Sequence, residues 1–554
     1  MIRPGASPLA QARIQPLRAE KQPPCCAGCA SGADVRGWIA TIAQRRKLGL
    51  SDAQAFALAW RMVTAVNPLP AVMGRICPHP CQDNCSRGEK DGVVAINALE
   101  RFLGDWGLAH GLELPRLEQP AAQPESIGVI GAGPAGLSFA YQMARRGYRV
   151  TVYEKESKPG GMLYYGIPQY RLPEAVIEAE VRRIFDLGID FRPRLALGRD
   201  MELAGLQDRH EILFIAIGAG RGLRLEIPGE DGPGVWTGTE YLARLNRGEP
   251  VALGRQVVVV GGGNTAVDAA RAARRDGAEV VLVYRRTRAE MPAIQEEVDD
   301  AIAEGVRIEF LAAPVRIVRD AGRVLAVVIQ RMELGETDQS GRRRPVPVRG
   351  SESQLAATSV LSAVSQQPDW QGVRGPDPGT IWAAGPELGD SGGRLWTGGD
   401  TRGPGIAGQA ISQGRRVAEL VHARLRRIPA SDDASLPPLP RQSIKPDFYV
   451  PMHPVVVPRK PASAWVDDPD AEMRGTITEE EFLQEIARCF SCGLCYGCEQ
   501  CFMYCSAGGF ILRERVAPGA YFALDLERCQ ACGKCIDLCP CGFLEPISTP
   551  MRSA

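Results

Sequence analysis

The stretch Ser126–Lys155, SIGVIGAGPAGLSFAYQMARRGYRVTVYEK, decides the fold. An apolar strand runs into Gly131, Gly133 and Gly136, a helical run follows, and a second apolar strand ends on Glu154, 23 residues after Gly131. Gly131 turns the chain tightly, Gly133 leaves room for a pyrophosphate against the backbone, and Gly136 lets the helix lie close to the strand. The helix N-terminus faces the phosphates with its partial positive charge, and Glu154 is placed to accept ribose hydroxyls. Strand, loop, helix and distal acid agree, so the stretch reads as a dinucleotide-binding βαβ unit rather than a structural turn.

Working outward, the pattern recurs once, at Arg255–Arg286: RQVVVVGGGNTAVDAARAARRDGAEVVLVYRR. Gly261, Gly263 and Ala266 take the three glycine positions, and Asn264 stands in the same loop. Tyr284 occupies the place of Glu154, followed by Arg285 and Arg286. A carboxylate there would repel a 2′-phosphate, whereas an arginine pair holds one in a bidentate grip. This favours NADP(H) over NAD(H). The alternative is that the two arginines are solvated charges or stack on the adenine. Two units in one chain predict one bound flavin, FAD, and one diffusing nicotinamide; a duplicated fold with one dead site is the bland alternative.

The remaining composition bounds the answer. At 554 residues the chain has room for three or four domains. Lys+Arg and Asp+Glu both number 65, so the sequence has neither a basic footprint for nucleic acid nor a polybasic membrane patch. No apolar run reaches the ~18 residues of a membrane span. The start, MIRPGASPLAQAR, lacks the apolar core of a secretory signal, and a cytoplasmic location is expected. Met1–Pro24 reads as a loose polar arm. Ser51 and Gln54 form a capping box ahead of an apolar run that Asn67-Pro68 stops. Ile428–Arg441, rich in Pro, Ser and Asp, reads as linker.

The 17 cysteines are divided. Six lie between Cys25 and Cys85, eleven between Cys489 and Cys541, and none from 86 to 488. Repeated Cys-x-x-Cys spacing suits metal or iron–sulfur ligation better than disulfides. Two runs have bacterial ferredoxin spacing: Cys495, Cys498, Cys501 and Cys505, then Cys529, Cys532, Cys535 and Cys539-Pro540. In such modules the fourth cysteine of each run ligates the other cluster. One cluster would take Cys495, Cys498, Cys501 and Cys539, and the other Cys529, Cys532, Cys535 and Cys505.

Long motifs add a resemblance. GGMLYYGIPQYRLP (160–173), FIAIGAG followed by LEIPGED, GGGNTAVDAAR, YRRTRAEMPA and GGDTRGPGIAGQAISQGR resemble the small subunit of bacterial glutamate synthase and its relatives, over roughly residues 25–425. The resemblance implies FAD on the Gly131 loop, with Gly161, Gly399 and Asp400 closing over it, and NAD(P)H on the Gly261 loop. It also implies two [4Fe-4S] clusters in a helical domain before the flavin. Cys29, Cys77, Cys81 and Glu100 match one ligand set; a helix-surface acid is the alternative for Glu100. Cys25 and Cys85 match half of the other set, whose upstream Cys-x-x-Cys pair is missing from Met1–Pro24. Cys489 and Cys492, in ARCFSCG, resemble that missing pair; a separate zinc pair is the alternative. Fifteen cysteines and Glu100 then suffice for four clusters, with Cys26 and Cys541 spare. Thioredoxin-reductase-like enzymes share the two-nucleotide plan but need a redox Cys-x-x-Cys beside the flavin, which the cysteine-free span 86–488 does not supply.

The expected fold is therefore multidomain. It comprises a helical iron–sulfur domain (1–120), two α/β Rossmann-like domains, for FAD (121–240 and 371–428) and for NAD(P)H (241–370), a linker (429–480), and a small α+β ferredoxin-like domain (481–554). Nicotinamides give up two electrons together and clusters take one at a time, so a flavin has to stand between them. The expected function is an NAD(P)H:acceptor oxidoreductase, passing hydride between nicotinamide and FAD and single electrons through clusters to or from a partner redox enzyme or ferredoxin. A glutamate synthase small subunit and a non-enzymatic electron relay are the competing readings. The oligomeric state stays open between homodimer and hetero-oligomer, and the expected chemistry needs no acid–base triad.

Overall fold

The Ser126–Ile130 strand lies at the centre of a five-stranded parallel sheet with the order Leu395–Thr397, Ile212–Ile215, Ser126–Ile130, Arg149–Tyr153, Asp190–Arg192. A computed structural model describes residues 13–18, 21–117, 122–249, 251–338, 341–370, 386–387, 392–430 and 436–549. The central strand is buried from Ile127 to Ile130, as a parallel strand covered on both faces must be. The helix Pro134–Ala144 covers it and is itself buried from Ala135 onward. A second helix, Ala407–Arg426, seals the first from behind. The Ser138 hydroxyl donates to the Ile411 carbonyl at 2.8 Å, and a Cβ on Gly414 would stand 2.2 Å from the Ala135 oxygen.

The second glycine motif builds a second five-stranded parallel sheet: Arg307–Phe310, Glu279–Tyr284, Gln256–Val260, Ser359–Ser362, Val235–Thr237. The chain enters this unit at Val235 and not at 241, because Val235–Thr237 pairs in parallel with Ser359–Ser362 at the sheet edge. The two connections between the sheets run together where Gln366–Gln367 pairs antiparallel with Arg221–Gly222. An antiparallel sheet of Ala312–Asp320, Arg323–Thr337, Arg343–Pro347 and Ser353–Ala356 is inserted before Ser359. Residues 371–385 and 388–391 of the expected second flavin segment lie outside the described residues.

The N-terminal part that is described is largely helical. Ser51 and Gln54 make a capping box, and the helix Asp52–Thr64 follows. The helices Pro70–Ile76 and Ile96–Ala109 cross at two glycines: a Cβ on Gly74 would lie 2.3 Å from the Arg101 Cα, and one on Gly104 2.3 Å from the Ala71 nitrogen. Any larger residue at either position would separate the helices that carry Cys77 and Glu100.

Two expected boundaries change. Residues 13–18 of the expected loose arm form a strand, Arg13–Arg18, antiparallel to Leu544–Thr549 near the other end of the chain. The expected linker 429–480 is, where described, a strap along the protein. Glu472 bonds Arg75 at 2.8 Å and Arg101 at 2.9 Å, and the Gln22 nitrogen donates to the Pro437 carbonyl. Its many prolines keep its regular structure ahead of Glu479 to short 3-10 turns and isolated bridges, so side-chain anchors add much of its hold. The helix Glu479–Ala487, capped by Thr478 and Glu481, packs on the helical domain and not on the C-terminal module. Its Phe482 is fully buried, stacked on Phe102 with centroids 4.1 Å apart and edge-on to Phe56 at 5.2 Å. Phe482→Ala is expected to weaken this attachment by ~3–5 kcal/mol, read as faster limited proteolysis between residues 430 and 480.

The rest of the C-terminal part is a hairpin, Phe510–Leu512 with Phe522–Leu524, and the short helices Gln500–Met503 and Lys534–Leu538. Among the described residues, no helix is long and apolar enough to cross a membrane.

Candidate functional site

The first nucleotide loop is assembled by contacts that only glycine permits. Gly131 has φ +105°, and a Cβ there would meet the Ala216 carbonyl at 2.2 Å. A Cβ on Gly136 would meet the Gly131 oxygen at 1.9 Å. Gly133, by contrast, faces open space, with the Gly161 Cα 3.9 Å from the built Cβ. Gly161 (φ +54°) approaches the loop, and the Gly160 nitrogen donates to the Ala132 oxygen at 2.8 Å. Gly399 comes in from the other side, where a Cβ would lie 2.7 Å from the Ala135 Cβ. The structure thus gathers Gly131, Gly133, Gly136, Gly161 and Gly399 around one helix N-terminus and keeps a gap above Gly133 that fits a pyrophosphate.

Two acids flank that gap. Glu154 is 5% exposed, and its carboxylate braces the loop, accepting from the Ala132 nitrogen at 2.7 Å and the Glu156 nitrogen at 2.9 Å. Burial pushes its pKa up. Asp400 accepts from the Gly405 nitrogen at 3.1 Å, and burial raises its pKa to about 6.

The second loop repeats the geometry. Gly261 has φ +148° and lies against the Ala363 carbonyl, while nothing comes within 4 Å of a Cβ built on Gly263. Asn264 accepts the Ile294 N–H at 2.9 Å, tying the loop to the segment after Tyr284. The expected arginine pair is split. Arg285 is exposed. Arg286 is 4% exposed and turned to the inserted antiparallel sheet, with its Nη2 on Asp338 at 2.7 Å and its Nε on the Arg343 carbonyl at 2.8 Å. Arg286 is thus committed to the inserted sheet, while Arg285 is left exposed at the strand end. Gripping a phosphate with both guanidiniums is not what this arrangement offers.

Sequence reasoning gave no role to Arg171 or Asp268. They form a buried pair, 2.6 Å apart, that joins the turn before the helix Glu174–Phe185 to the helix Asn264–Arg275 of the second loop. Arg271 and Arg275, bound to Glu304 at 2.7 and 2.5 Å, extend this network, and both stack on Tyr170. The signal was present in the quoted Tyr170-Arg171, but its partners lie more than 90 residues away.

The cysteines collect into groups. Burial raises the pKa of the Cys29, Cys77 and Cys81 thiols, and the charge of Glu100 raises all three further. Burial raises the Glu100 pKa to about 7, and Asn67 Nδ2 donates to its Oε1 at 2.9 Å. In the C-terminal part, burial pushes up the pKa of Cys495, Cys498, Cys501 and Cys535; Cys539 adds to it at the first three, Cys535 also at Cys501, and Cys529, Cys532 and Cys505 at Cys535. Cys25, Cys85, Cys489 and Cys492 line one pocket. Backbone N–H groups donate to several sulfurs: Ala33 to Cys29 (3.4 Å), His79 to Cys77 (3.3 Å), Ser491 to Cys489 (3.4 Å), Gly509 to Cys505 (3.3 Å) and Ala531 to Cys529 (3.4 Å). Such donors stabilise anionic sulfur and tune cluster potentials. Among the described residues, no group of three His, Cys, Asp or Glu closes on a single-ion site, whereas a cubane spreads its four ligands around a larger body. Cys26 is bonded to Asp34 at 3.3 Å, and Cys541 stands 4.0 Å from Cys539.

Two glycine loops on paired parallel sheets, with cysteine groups at both ends of the chain, define a nucleotide-dependent oxidoreductase carrying iron–sulfur ligands. Residues 125–369 match the pyridine nucleotide-disulphide oxidoreductase family, and residues 17–112 match dihydropyrimidine dehydrogenase domain II, 4Fe-4S cluster. The small chain of NADPH glutamate synthase from Azospirillum brasilense is 32% identical over 426 residues, covering 72% of this chain and 86% of that one. The chain belongs to the glutamate synthase small-chain family. The beta subunit of NADP(+)-dependent formate dehydrogenase from Moorella thermoacetica is 37% identical over 433 residues, 73% of this chain and 60% of that subunit. The chain spans between 51% and 60% of the length of the first curated relatives it matches. In fold, it resembles FprA of Mycobacterium tuberculosis, solved in complex with NADPH, with a TM-score of 0.50 at 20% identity over 66% of this chain and 99% of that one.

Proposed function

We propose that the chain is an NAD(P)H:acceptor oxidoreductase, the subunit through which electrons enter or leave a larger redox assembly. The observation that carries this reading is the presence, on one chain, of two open glycine loops and separate cysteine groups, with the two loop-bearing units fixed to each other by the Arg171–Asp268 pair. The Gly131 loop, braced by Glu154 and closed by Gly399 and Asp400, holds FAD. The Gly261 loop holds the nicotinamide cofactor. When bound, the flavin exchanges electron pairs with a nicotinamide and single electrons with iron–sulfur clusters. Cys29, Cys77, Cys81 and Glu100 hold one [4Fe-4S] cluster, and the eight ferredoxin-spaced cysteines hold two. The partner is a redox protein, either the catalytic subunit of a complex or a ferredoxin.

Anaerobic titration tests this directly. NADPH is expected to bleach the flavin and then raise the cluster signals in EPR, at lower concentration than NADH. A flavin that neither nucleotide bleaches overturns the reading in favour of a passive relay. Arg285→Ala is expected to raise the KM for NADPH about tenfold or more and leave that for NADH unchanged. One charge-assisted contact is worth ~1.5–3 kcal/mol, less where solvent screens it. Faster reduction by NADH in the unaltered protein overturns the NADP(H) preference.

A further inference from the structure

The pocket between the two ends of the chain is not covered by either family match, since Cys489 and Cys492 lie outside both matched ranges. Cys25 enters it from the short helix Pro24–Gly28 and Cys85 from the residue before Ser86–Glu89. Cys489 and Cys492 come from the turn after the helix Glu479–Ala487. We propose that these four thiolates hold one [4Fe-4S] cluster, built jointly by the two ends of the chain, and that it is the step between the N-terminal cluster and the C-terminal module. The proposal rests on the reading of this chain as an electron carrier.

Three observations support it. The Cys489–Cys492 turn has the backbone of the Cys529–Cys532 turn in the ferredoxin-spaced run. Ser491 and Ala531, each just before the second cysteine, both have φ +55°, and their N–H groups each donate to the first cysteine's sulfur at 3.4 Å. A positive φ at a serine or alanine is strained, and persists where the surroundings require it. Second, the scaffold bringing the ends together is built and buried. Arg87 donates to the Arg488 carbonyl at 2.8 Å and lies over the Phe490 ring at 4.8 Å, and Arg36 donates to the Cys492 carbonyl at 3.0 Å. Third, the chain sets the spacing of the wire. Cys25 and Cys29 are four residues apart along one turn, a rise of ~6 Å. Cys492 and Cys495 are three residues apart, a reach of no more than ~11 Å. The shared site therefore adjoins the Glu100 group on one side and the first ferredoxin-spaced group on the other, and single electrons supplied by NAD(P)H through the flavin cross it in turn.

The test uses the full chain purified without oxygen, with iron, sulfide and zinc measured per flavin. The unaltered protein is expected to hold about sixteen irons, four per cluster. Cys489→Ser with Cys492→Ser is expected to leave about twelve, Cys25→Ser with Cys85→Ser about twelve, and all four changes together still about twelve. Cys26→Ser is expected to keep the full number. In either double variant NADPH still bleaches the flavin, while reduction of the C-terminal clusters slows at least about tenfold. About twelve irons in the unaltered chain, zinc bound at Cys489 and Cys492, or about eight irons in the fourfold variant each overturn the shared site. The count on the unaltered protein decides the matter even where a variant fails to fold. If NADPH fails to bleach the flavin while the iron counts hold, the proposed function fails and the shared cluster stands.

Discussion

Gly136→Val is expected to yield protein without flavin, with FAD per chain falling from about one to below about one tenth. The β-carbon alone would lie 1.9 Å from the Gly131 carbonyl oxygen. That oxygen belongs to the turn itself and has no rotamer to escape into, so the helix has to move. It has nowhere to go: Gly414 of the helix behind it already touches the Ala135 backbone, and the Ser138 hydroxyl is bonded across to Ile411. Overpacking of this kind costs ~1–3 kcal/mol or more in a tight core, and the displacement carries the helix N-terminus away from the phosphates. Gly133→Ala provides the contrast. Its β-carbon faces open space, so the protein is expected to keep its unfolding temperature within a few degrees while losing flavin affinity, because the added methyl occupies the pyrophosphate gap. Flavin content after gel filtration and thermal unfolding of both variants check this; a Gly136→Val protein that stays yellow would show that the loop does not hold the cofactor as drawn.

Arg488→Ala is expected to cost ~3–5 kcal/mol in the attachment of the C-terminal region, the range for removing one partner of a buried ionic network. Arg488 is fully buried. Its guanidinium donates to Glu485 at 2.6 Å, to the carbonyls of Gly92 (2.6 Å), Val93 (2.9 Å) and Met452 (3.1 Å), and to the Asp91 carboxylate at 3.1 Å. Alanine would leave these acceptors and the Glu485 charge in a buried site. Because Cys489 is the next residue, the variant is also expected to lose iron, unlike Phe482→Ala, which acts seven residues upstream. Arg488→Lys, keeping the charge but not the fork, is expected to fall between. Released tail in limited proteolysis and iron per chain are the readouts. The same network has an acid limit. The hydrogen bond from Arg87 holds the Asp91 carboxyl well below the ordinary carboxylate range. A depressed pKa contributes stability above the unfolded value of ~3.9 and loses it as pH falls further, so the attachment is expected to loosen below about pH 4.

Much of this was readable from residue order, for a local reason. A glycine loop, the strand before it and the helix after it are neighbours in sequence, so Gly131, Gly136 and Gly261 announce their backbone needs within a few positions. The capping box at Ser51 and the ferredoxin spacing are local in the same way. Arg286 was misread because the pattern Tyr284-Arg285-Arg286 does not say which side of the departing strand carries the inserted sheet. Asp338 and the Arg343 carbonyl, some fifty residues on, claim its guanidinium. The strap over 429–480 was misread for a related reason. Its prolines and polar residues look like linker composition, and only its anchors on Arg75 and Arg101 make it part of the body.

The sequence by itself determined the two nucleotide units, the helical domain and the division of cysteines between two ends, because each is written in short-range spacing. It also raised the possibility that Cys489 and Cys492 complete a set begun at Cys25. Tertiary structure alone decided that the ends meet. Arg13–Arg18 pairs with Leu544–Thr549, Phe482 sits in the helical core, and Arg488 closes on the Asp91–Val93 loop. Contacts across some 400 residues depend on which buried surfaces and unpaired carbonyls happen to face one another, and no local spacing encodes that.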